Sequence, residues 1–287
     1  MGHNGMTVWK YVSSSVVGTS HVLTGTSCQD SSLCRVFTLR DGSEVLVVVA
    51  ADGAGSAKRA QVGSALACSL LGQEMETLFG GNADGDVRDI TYEFVGNWLT
   101  SFQREIAIRA EHEELRVRDF ACTLVAAIIG QESAVFAQIG DGAIVVSSPD
   151  EPDEYCYVFW PQKGEYANET YFATDSEAHT KIQYDYVSYC IEEVAVLTDG
   201  IQSLALHYQS QTAYNPFFRP VFAWLRQAPE NYTDKFTTSL ETYLDSEKIN
   251  QATDDDKTLI LATRRILSHA MEASPSEEIY VTSVLQQ

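Results

Sequence analysis

Three times in this chain an apolar run ends in Asp-Gly: VLVVVAADG at Asp52-Gly53, VFAQIGDG at Asp141-Gly142 and EVAVLTDG at Asp199-Gly200. A fourth acidic cluster, Asp254-Asp255-Asp256, stands just before another apolar run, TLILA. A β-branched run that closes on Asp-Gly reads as a buried strand leaving the core through a turn. One such ending is an ordinary turn signal. Three of them, with the acidic cluster preceding a further strand, imply more. If the strand after Asp256 runs antiparallel to the others, all four acidic groups lie along one sheet edge. Carboxylates gathered at the mouth of an apolar core repel one another, and partial burial disfavours their ionised forms further. They must hold protons or a cation, and an all-oxygen donor set suits Mg²⁺, Mn²⁺ or Ca²⁺. The glycine after each Asp allows a main-chain carbonyl to approach such an ion closely.

Charge supports a cation at that place. The 287 residues include 19 Lys+Arg against 40 Asp+Glu, a net charge of −21. A surface this acidic repels phosphate backbones, which argues against a nucleic-acid partner. Phosphate chemistry on such a protein needs a local source of positive charge. Hydrophobic residues make up 45% of the chain, enough for a full core, and global disorder is excluded. The longest apolar run, Val45–Ala51, is far shorter than the roughly 18 residues of a membrane span. The opening MGHNGMTVWK lacks the basic and apolar regions of a secretory signal. A cytoplasmic protein with no membrane partner is expected. The cysteines at 28, 34, 68, 122, 156 and 190 form no CxxC pair and read as reduced thiols, without a zinc site.

Other motifs carry less. Asn82-Ala83-Asp84-Gly85-Asp86 with Asp89 fails the EF-hand spacing, because the glycine is misplaced and no Glu closes the loop. The histidines form no HxxxH pair and read as structural or solvated, with His21 set apart by its nearness to Asp30. No GxSxG elbow and no Walker loop occurs.

The periodicity predicts a strand at Val45–Ala51 and a helix from Ser56, its N-cap, to Phe79. A second helix is expected over 90–114, where Phe94, Trp98, Phe102 and Ile106 recur every four residues. Strands follow at Cys122–Ile129, Ala134–Ile139, Ala143–Ser147, Val187–Tyr189 and Val194–Thr198. Helices are expected at Phe217–Arg226 and Tyr232–Leu244, and a final strand at Thr258–Ala262. The stretch 149–180 is irregular, acidic and aromatic. Blocks of strands beside blocks of helices indicate an α+β layered fold. No linker divides the chain, so one domain over 1–287 is expected, with a core of about 7–264 and a C-terminal helix or tail at 265–287.

The ordered set of motifs resembles the metal-dependent serine/threonine protein phosphatases of type 2C, the PPM family, and within it a divergent, mostly bacterial branch. The matching pieces are Cys28-Gln29-Asp30, Ala51-Asp52-Gly53, Gly140-Asp141-Gly142, Thr198-Asp199-Gly200 and Asp255-Asp256-Lys257-Thr258. The branch is suggested by ADGAGSA after the first strand and by GEYANET at 164–170. The resemblance implies a four-layer α-β-β-α sandwich, two antiparallel sheets flanked by helices, with two Mn²⁺ or Mg²⁺ ions at one end. It implies hydrolysis of phosphoserine and phosphothreonine in proteins by direct attack of a metal-bridging hydroxide. Carried over, Asp52 bridges both ions, the Gly53 carbonyl binds one, and Asp199 and Asp255 bind the other. Asp30 holds water, and Asp141 contributes to a third, weaker site. A phosphoprotein substrate, an opposing serine/threonine kinase and a monomeric state are the implied partners.

Several family positions differ. Gln29 replaces the usual Glu, Gly25 stands where an Arg grips phosphate, Ala54 replaces a His, and Ser203 replaces an Asp that assists the third metal. Ser56, Lys58 and Arg59, at the start of the first expected helix, are the candidate substitutes for phosphate binding. Two other functions stay open: a catalytically silent binding or sensor domain of the same fold, and a hydrolase of small phosphate monoesters.

Overall fold

Every residue from Val45 to Ala51 is buried, so the strand that holds them must be covered on both faces. The computed structural model shows what covers it. It describes residues 8–81, 83–147, 150–163, 170–228 and 234–265. The first half contains β1 (Lys10–Val16), α1 (Thr19–Thr24), β2 (Ser31–Thr38), β3 (Glu44–Ala51), α2 (Ala60–Phe79) and α3 (Tyr92–His112). Then come β4 (Leu124–Ile129), β5 (Ala134–Ile139), β6 (Ala143–Ser147), β7 (Tyr155–Tyr157), β8 (Gln183–Val187) and β9 (Glu193–Leu197). The rest is α4 (Gln202–Ala205), the short pair β10 (Leu206–His207) and β11 (Thr212–Ala213), α5 (Asn215–Arg226), α6 (Asp234–Leu244), α7 (Glu247–Ala252) and β12 (Lys257–Thr263).

Two five-stranded antiparallel sheets form, in the orders β1-β12-β9-β6-β7 and β2-β3-β4-β5-β8. Side-chain parity builds the layers. Val45, Val47 and Val49 of β3 join Leu124 and Ala126 of β4 against Leu71 and Met75 of α2 and Leu99 and Phe102 of α3. The alternate residues Leu46, Val48 and Ala50 face the other way and meet Ile144, Val196 and Ile260 of the opposite sheet. On that sheet's far side Val12, Val145, Leu197 and Leu261 pack on Phe218, Val221 and Phe222 of α5 and Leu240 of α6. The result is the expected α-β-β-α sandwich. Each buried Val, Leu or Phe in these layers contributes about 1.5–3 kcal/mol of transfer free energy.

Local departures from the sequence expectation have local causes. The first long helix starts at Ala60, not at Ser56. The Ala54 and Arg59 N–H groups donate to the carbonyls of Ala121 and Asp119 (2.9 and 2.7 Å), and Ala57 N–H closes a turn on Ala54. The chain is held against the 119–121 loop until Ala60, and Ser56 is an exposed turn residue. The strand expected at Val187–Tyr189 lies instead at Gln183–Val187. It pairs with β5, and Val187 faces Ala134, where β5 begins and the ladder ends. The strand expected from Cys122 starts at Leu124, with Cys122 making only an isolated bridge to Gly53. The end of the chain beyond Arg265, and 164–169 of the GEYANET segment, lie outside the described residues.

Candidate metal centre

Register brings the acidic motifs to one end of the sandwich. In the first sheet Leu259 pairs with Leu197 and Ala143 with Leu197, so the start of β12, the end of β9 and the start of β6 coincide. In the second sheet Ala50 pairs with Val125 and Leu124 with Ile139, so β3 ends where β4 starts and β5 ends. Gly140-Asp141-Gly142 is the short link by which the chain passes from β5 in one sheet to β6 in the other. The acidic groups therefore share the ends of two sheets, not the edge of one as the sequence suggested.

Asp52, Asp141 and Asp199 each offer an oxygen within 4.8 Å of the others. The glycine after each of them serves packing. None of Gly53, Gly142 and Gly200 is left-handed. A Cβ on Gly53 would meet the Ala60 backbone at 2.7 Å, and one on Gly200 would meet the Asp256 carbonyl oxygen at 1.9 Å. Only a residue without a side chain lets the strand ends close to this distance.

Asp30, just ahead of β2, is buried behind this group. Its Oδ2 accepts from the Thr198 and Thr258 hydroxyls, both at 2.7 Å. Thr198 and Thr258 share the parity of Val196 and Ile260, which points them between the sheets. Asp30 Oδ1 has no hydrogen-bond partner, and neither does the buried Asp141 Oδ1, among the described residues. Asp255 is exposed, with one oxygen accepting from the Asp256 N–H (2.8 Å), yet its charge raises the carboxyls of Asp52, Asp141 and Asp199.

Asp256 takes a different part that its neighbours in sequence do not reveal. It is 2% exposed and accepts the Gly18 N–H on one oxygen (2.6 Å) and the Gln29 N–H on the other (2.5 Å). His21 Nδ1 lies 2.9 Å from the same carboxylate. One side chain thus ties the N-terminal segment carrying Asp30 to the strand end carrying Asp255.

The protonation of the cluster follows from burial. Burial pushes the Asp30 carboxyl up to about 6, against the downward pull of the two threonine hydroxyls. Burial, then Asp30 and Asp199, hold Asp52 well above the usual carboxylate range. Burial, then Asp141 and Asp255, raise Asp199 to about 8. Burial also raises Asp141. None of these carboxylates has an ion-pair partner among the described residues. Oxygen donors, unpartnered buried oxygen atoms and mutual repulsion together fit a hard divalent cation.

Ser56 and Lys58 are exposed on the turn before α2, and the Arg59 guanidinium is paired with Glu113 at 2.8 Å.

A family model described as Protein phosphatase 2C matches residues 17–245. The chain belongs to that family. This member is 36% identical over 254 residues to Serine/threonine-protein phosphatase 3 of Escherichia coli K12, an alignment covering 88% of this chain and 98% of the relative. Its fold is shared by the serine/threonine phosphatase Stp1 from Staphylococcus aureus, with a TM-score of 0.57 at 14% identity, covering 92% of this chain and 98% of the other. It is shared too by the catalytic domain of the phosphatase PstP in complex with two manganese ions, with a TM-score of 0.55 at 15% identity, covering 89% and 98%.

Proposed function

We propose that this phosphatase 2C family member hydrolyses phosphoserine and phosphothreonine in proteins with the help of two Mn²⁺ or Mg²⁺ ions. The observation that carries the reading is the convergence of Asp52, Asp141 and Asp199 oxygen atoms within 4.8 Å at the meeting point of two sheets. Asp52, Asp199 and Asp255, with the Gly53 carbonyl, are the groups that would hold the ions, and Asp141 would complete the set or serve a third, weaker site. When bound, such ions supply Lewis acidity that makes water nucleophilic near neutral pH and offsets phosphate charge. Asp30 acts through position: Thr198 and Thr258 lock one oxygen, which leaves the other to accept a hydrogen bond from the attacking water. The Asp256 clamp on Gly18 and Gln29 keeps Asp30 in that place.

The same reading makes the substrate a phosphoprotein opposed to a serine/threonine kinase. It makes the protein a cytoplasmic monomer and treats the whole chain as one domain. The single inter-sheet core that joins Trp9 near the start of the chain to Ile260 and Ala262 near its end supports the last point. No helix among the described residues is long and apolar enough to cross a membrane.

The test is turnover of p-nitrophenyl phosphate and of a phosphothreonine peptide with Mn²⁺, with and without EDTA. Activity on both substrates, abolished by EDTA and by Asp52→Asn, is expected. Inactivity on both would favour a silent binding domain, and activity confined to the small ester would favour a metabolite hydrolase. A fully active Asp52→Asn variant would remove the basis of the assignment.

A further inference from the structure

A phosphate dianion that approaches a group of carboxylates needs a cation beside them. Lys163 is brought there by a double staple. The residue before it, Gln162, donates its backbone N–H to the Gly140 carbonyl (3.2 Å) and accepts the Gly140 N–H on its side-chain oxygen (2.7 Å). The Gln162 amide nitrogen also donates to the Lys181 carbonyl (2.7 Å), so the side chain is held from both ends. Gly140 immediately precedes Asp141 and has φ 107°, a conformation that favours glycine. The chain at Gln162 therefore lies against the Asp141 turn, and Lys163 is the next side chain.

Its surroundings leave the ammonium resting on an aromatic ring but not neutralised. Lys163 Nζ lies 5.2 Å from the centroid of the Tyr208 ring. That ring meets Trp160 edge-on at 5.4 Å, Trp160 meets Tyr157 at 5.1 Å, and the Tyr208 hydroxyl donates to Gln202, three residues beyond Asp199. Lys163 is exposed and has no carboxylate within ion-pair distance among the described residues. Its charge offsets part of the rise that burial imposes on Asp141, while Asp141 and Asp199 add to the rise that burial imposes on the Tyr208 phenol. Lysine, aromatic platform and acidic centre are thus mutual neighbours.

We propose that Lys163, carried on the face of Tyr208, is the cation that binds the phosphate group of the substrate. The proposal rests on the phosphatase reading of the acidic centre. An ammonium group offers a compact charge with three donors to phosphate oxygen atoms. Stacking on an aromatic face restrains the stem without cancelling the charge. Arg59, in contrast, would have to leave Glu113 to do the same work.

The test uses the full chain with Mn²⁺ and the variants Lys163→Ala and Lys163→Arg. The readouts are kcat and KM for p-nitrophenyl phosphate and for a phosphothreonine peptide, and the inhibition constant of inorganic phosphate. Loss of one charge-assisted contact at an accessible site corresponds to roughly a tenfold weakening. Both KM values and the phosphate inhibition constant should rise by about that same factor in Lys163→Ala, with little change in kcat, and Lys163→Arg should recover most of the loss. Unchanged KM and inhibition constants would overturn the proposal. So would a rise confined to the peptide, which would place Lys163 on the peptide chain, or a fall in kcat alone. A wild-type protein inactive on both substrates would instead defeat the phosphatase reading itself.

Discussion

Removal of divalent cations should uncover the repulsion stored among the aspartates, and that repulsion is measurable as a pH dependence of stability. Asp30 is 6% exposed, and its carboxyl is raised from 3.8 to about 6. A raised carboxyl keeps its proton in the folded state at pH values where the unfolded chain has already released it. Its contribution to stability is complete below the unfolded value and is lost as pH rises through the folded one. For Asp30 alone the shift from 3.8 to about 6 corresponds to a loss of about 3 kcal/mol, at about 1.36 kcal/mol per pH unit. Asp52 and Asp199 shift in the same direction and extend the window, in the case of Asp199 to about 8. About half of the Asp30 loss, roughly 1.4 kcal/mol, falls between pH 5 and pH 7.5, which in a chain of this size corresponds to a melting shift on the order of 3–5 °C from Asp30 alone.

The assay is thermal unfolding in EDTA at pH 5 and pH 7.5, for the wild type and for Asp30→Asn. The Asn carbonyl can still accept from Thr198 and Thr258, and its amide is neutral at both pH values. The wild type should melt lower at pH 7.5 than at pH 5, and Asp30→Asn should narrow the gap. At pH 7.5 without cations the variant should be at least as stable as the wild type while its turnover with Mn²⁺ falls, a site held at a cost to the fold. Mn²⁺ at about 100 times its dissociation constant should add about 2.7 kcal/mol to the wild type. A wild-type melting temperature that stays level or rises from pH 5 to pH 7.5 in EDTA would refute the reasoning, as would an Asp30→Asn variant with the wild-type slope.

Other positions give independent tests. Gly200→Ala would place a Cβ 1.9 Å from the Asp256 carbonyl oxygen, so urea denaturation should show a loss of about 3 kcal/mol or more. Gly55→Ala, with no atom within 4 Å of the added carbon, should stay within about 0.5 kcal/mol of the wild type. Asp256→Ala leaves the Gly18 and Gln29 N–H groups without their acceptor, at about 1–3 kcal/mol each. Asp256→Asn, with one acceptor oxygen left, should fall between that variant and the wild type in both denaturation midpoint and kcat. Arg226→Met removes guanidinium bonds of 2.7 and 2.6 Å from Glu193, which is fully buried. A loss of about 1–3 kcal/mol is expected, since Arg265 stays 3.4 Å from the same carboxylate, and the added change Glu193→Gln should restore part of it by removing the under-neutralised charge.

The parts of this fold that were legible in the sequence are those whose environment is symmetric. β3, β4, β5, β6, β9 and β12 are covered on both faces, so their sequences are largely apolar, with few polar interruptions such as Gln138 in β5, and mark both a strand and a sandwich. β1 and β2 stand at the sheet edges, and their sequences KYVSSSV and SSLCRVFT carry serines that meet each other, as Ser15 and Ser32 do at 3.2 Å. They offer no apolar run to read, and α1 and α7, at six residues each, offer no helical period. The acidic centre was legible for the same reason as the inner strands. Asp52, Asp141 and Asp199 sit at strand ends, and a strand end inherits its place from the register of the whole ladder. Asp255 and Asp256 could not be separated that way, since adjacent residues leave a chain in opposite directions and only packing decides which one meets the cluster. Packing sent Asp256 inward to Gly18 and Gln29 and left Asp255 exposed beside the other acids. Lys163 is the extreme case. It belongs to no strand, and its place depends on Gln162 meeting Gly140, a contact made by side-chain geometry between segments 22 residues apart. A periodic pattern encodes where strands end, whereas a cation on an irregular segment is positioned by single hydrogen bonds that no period records.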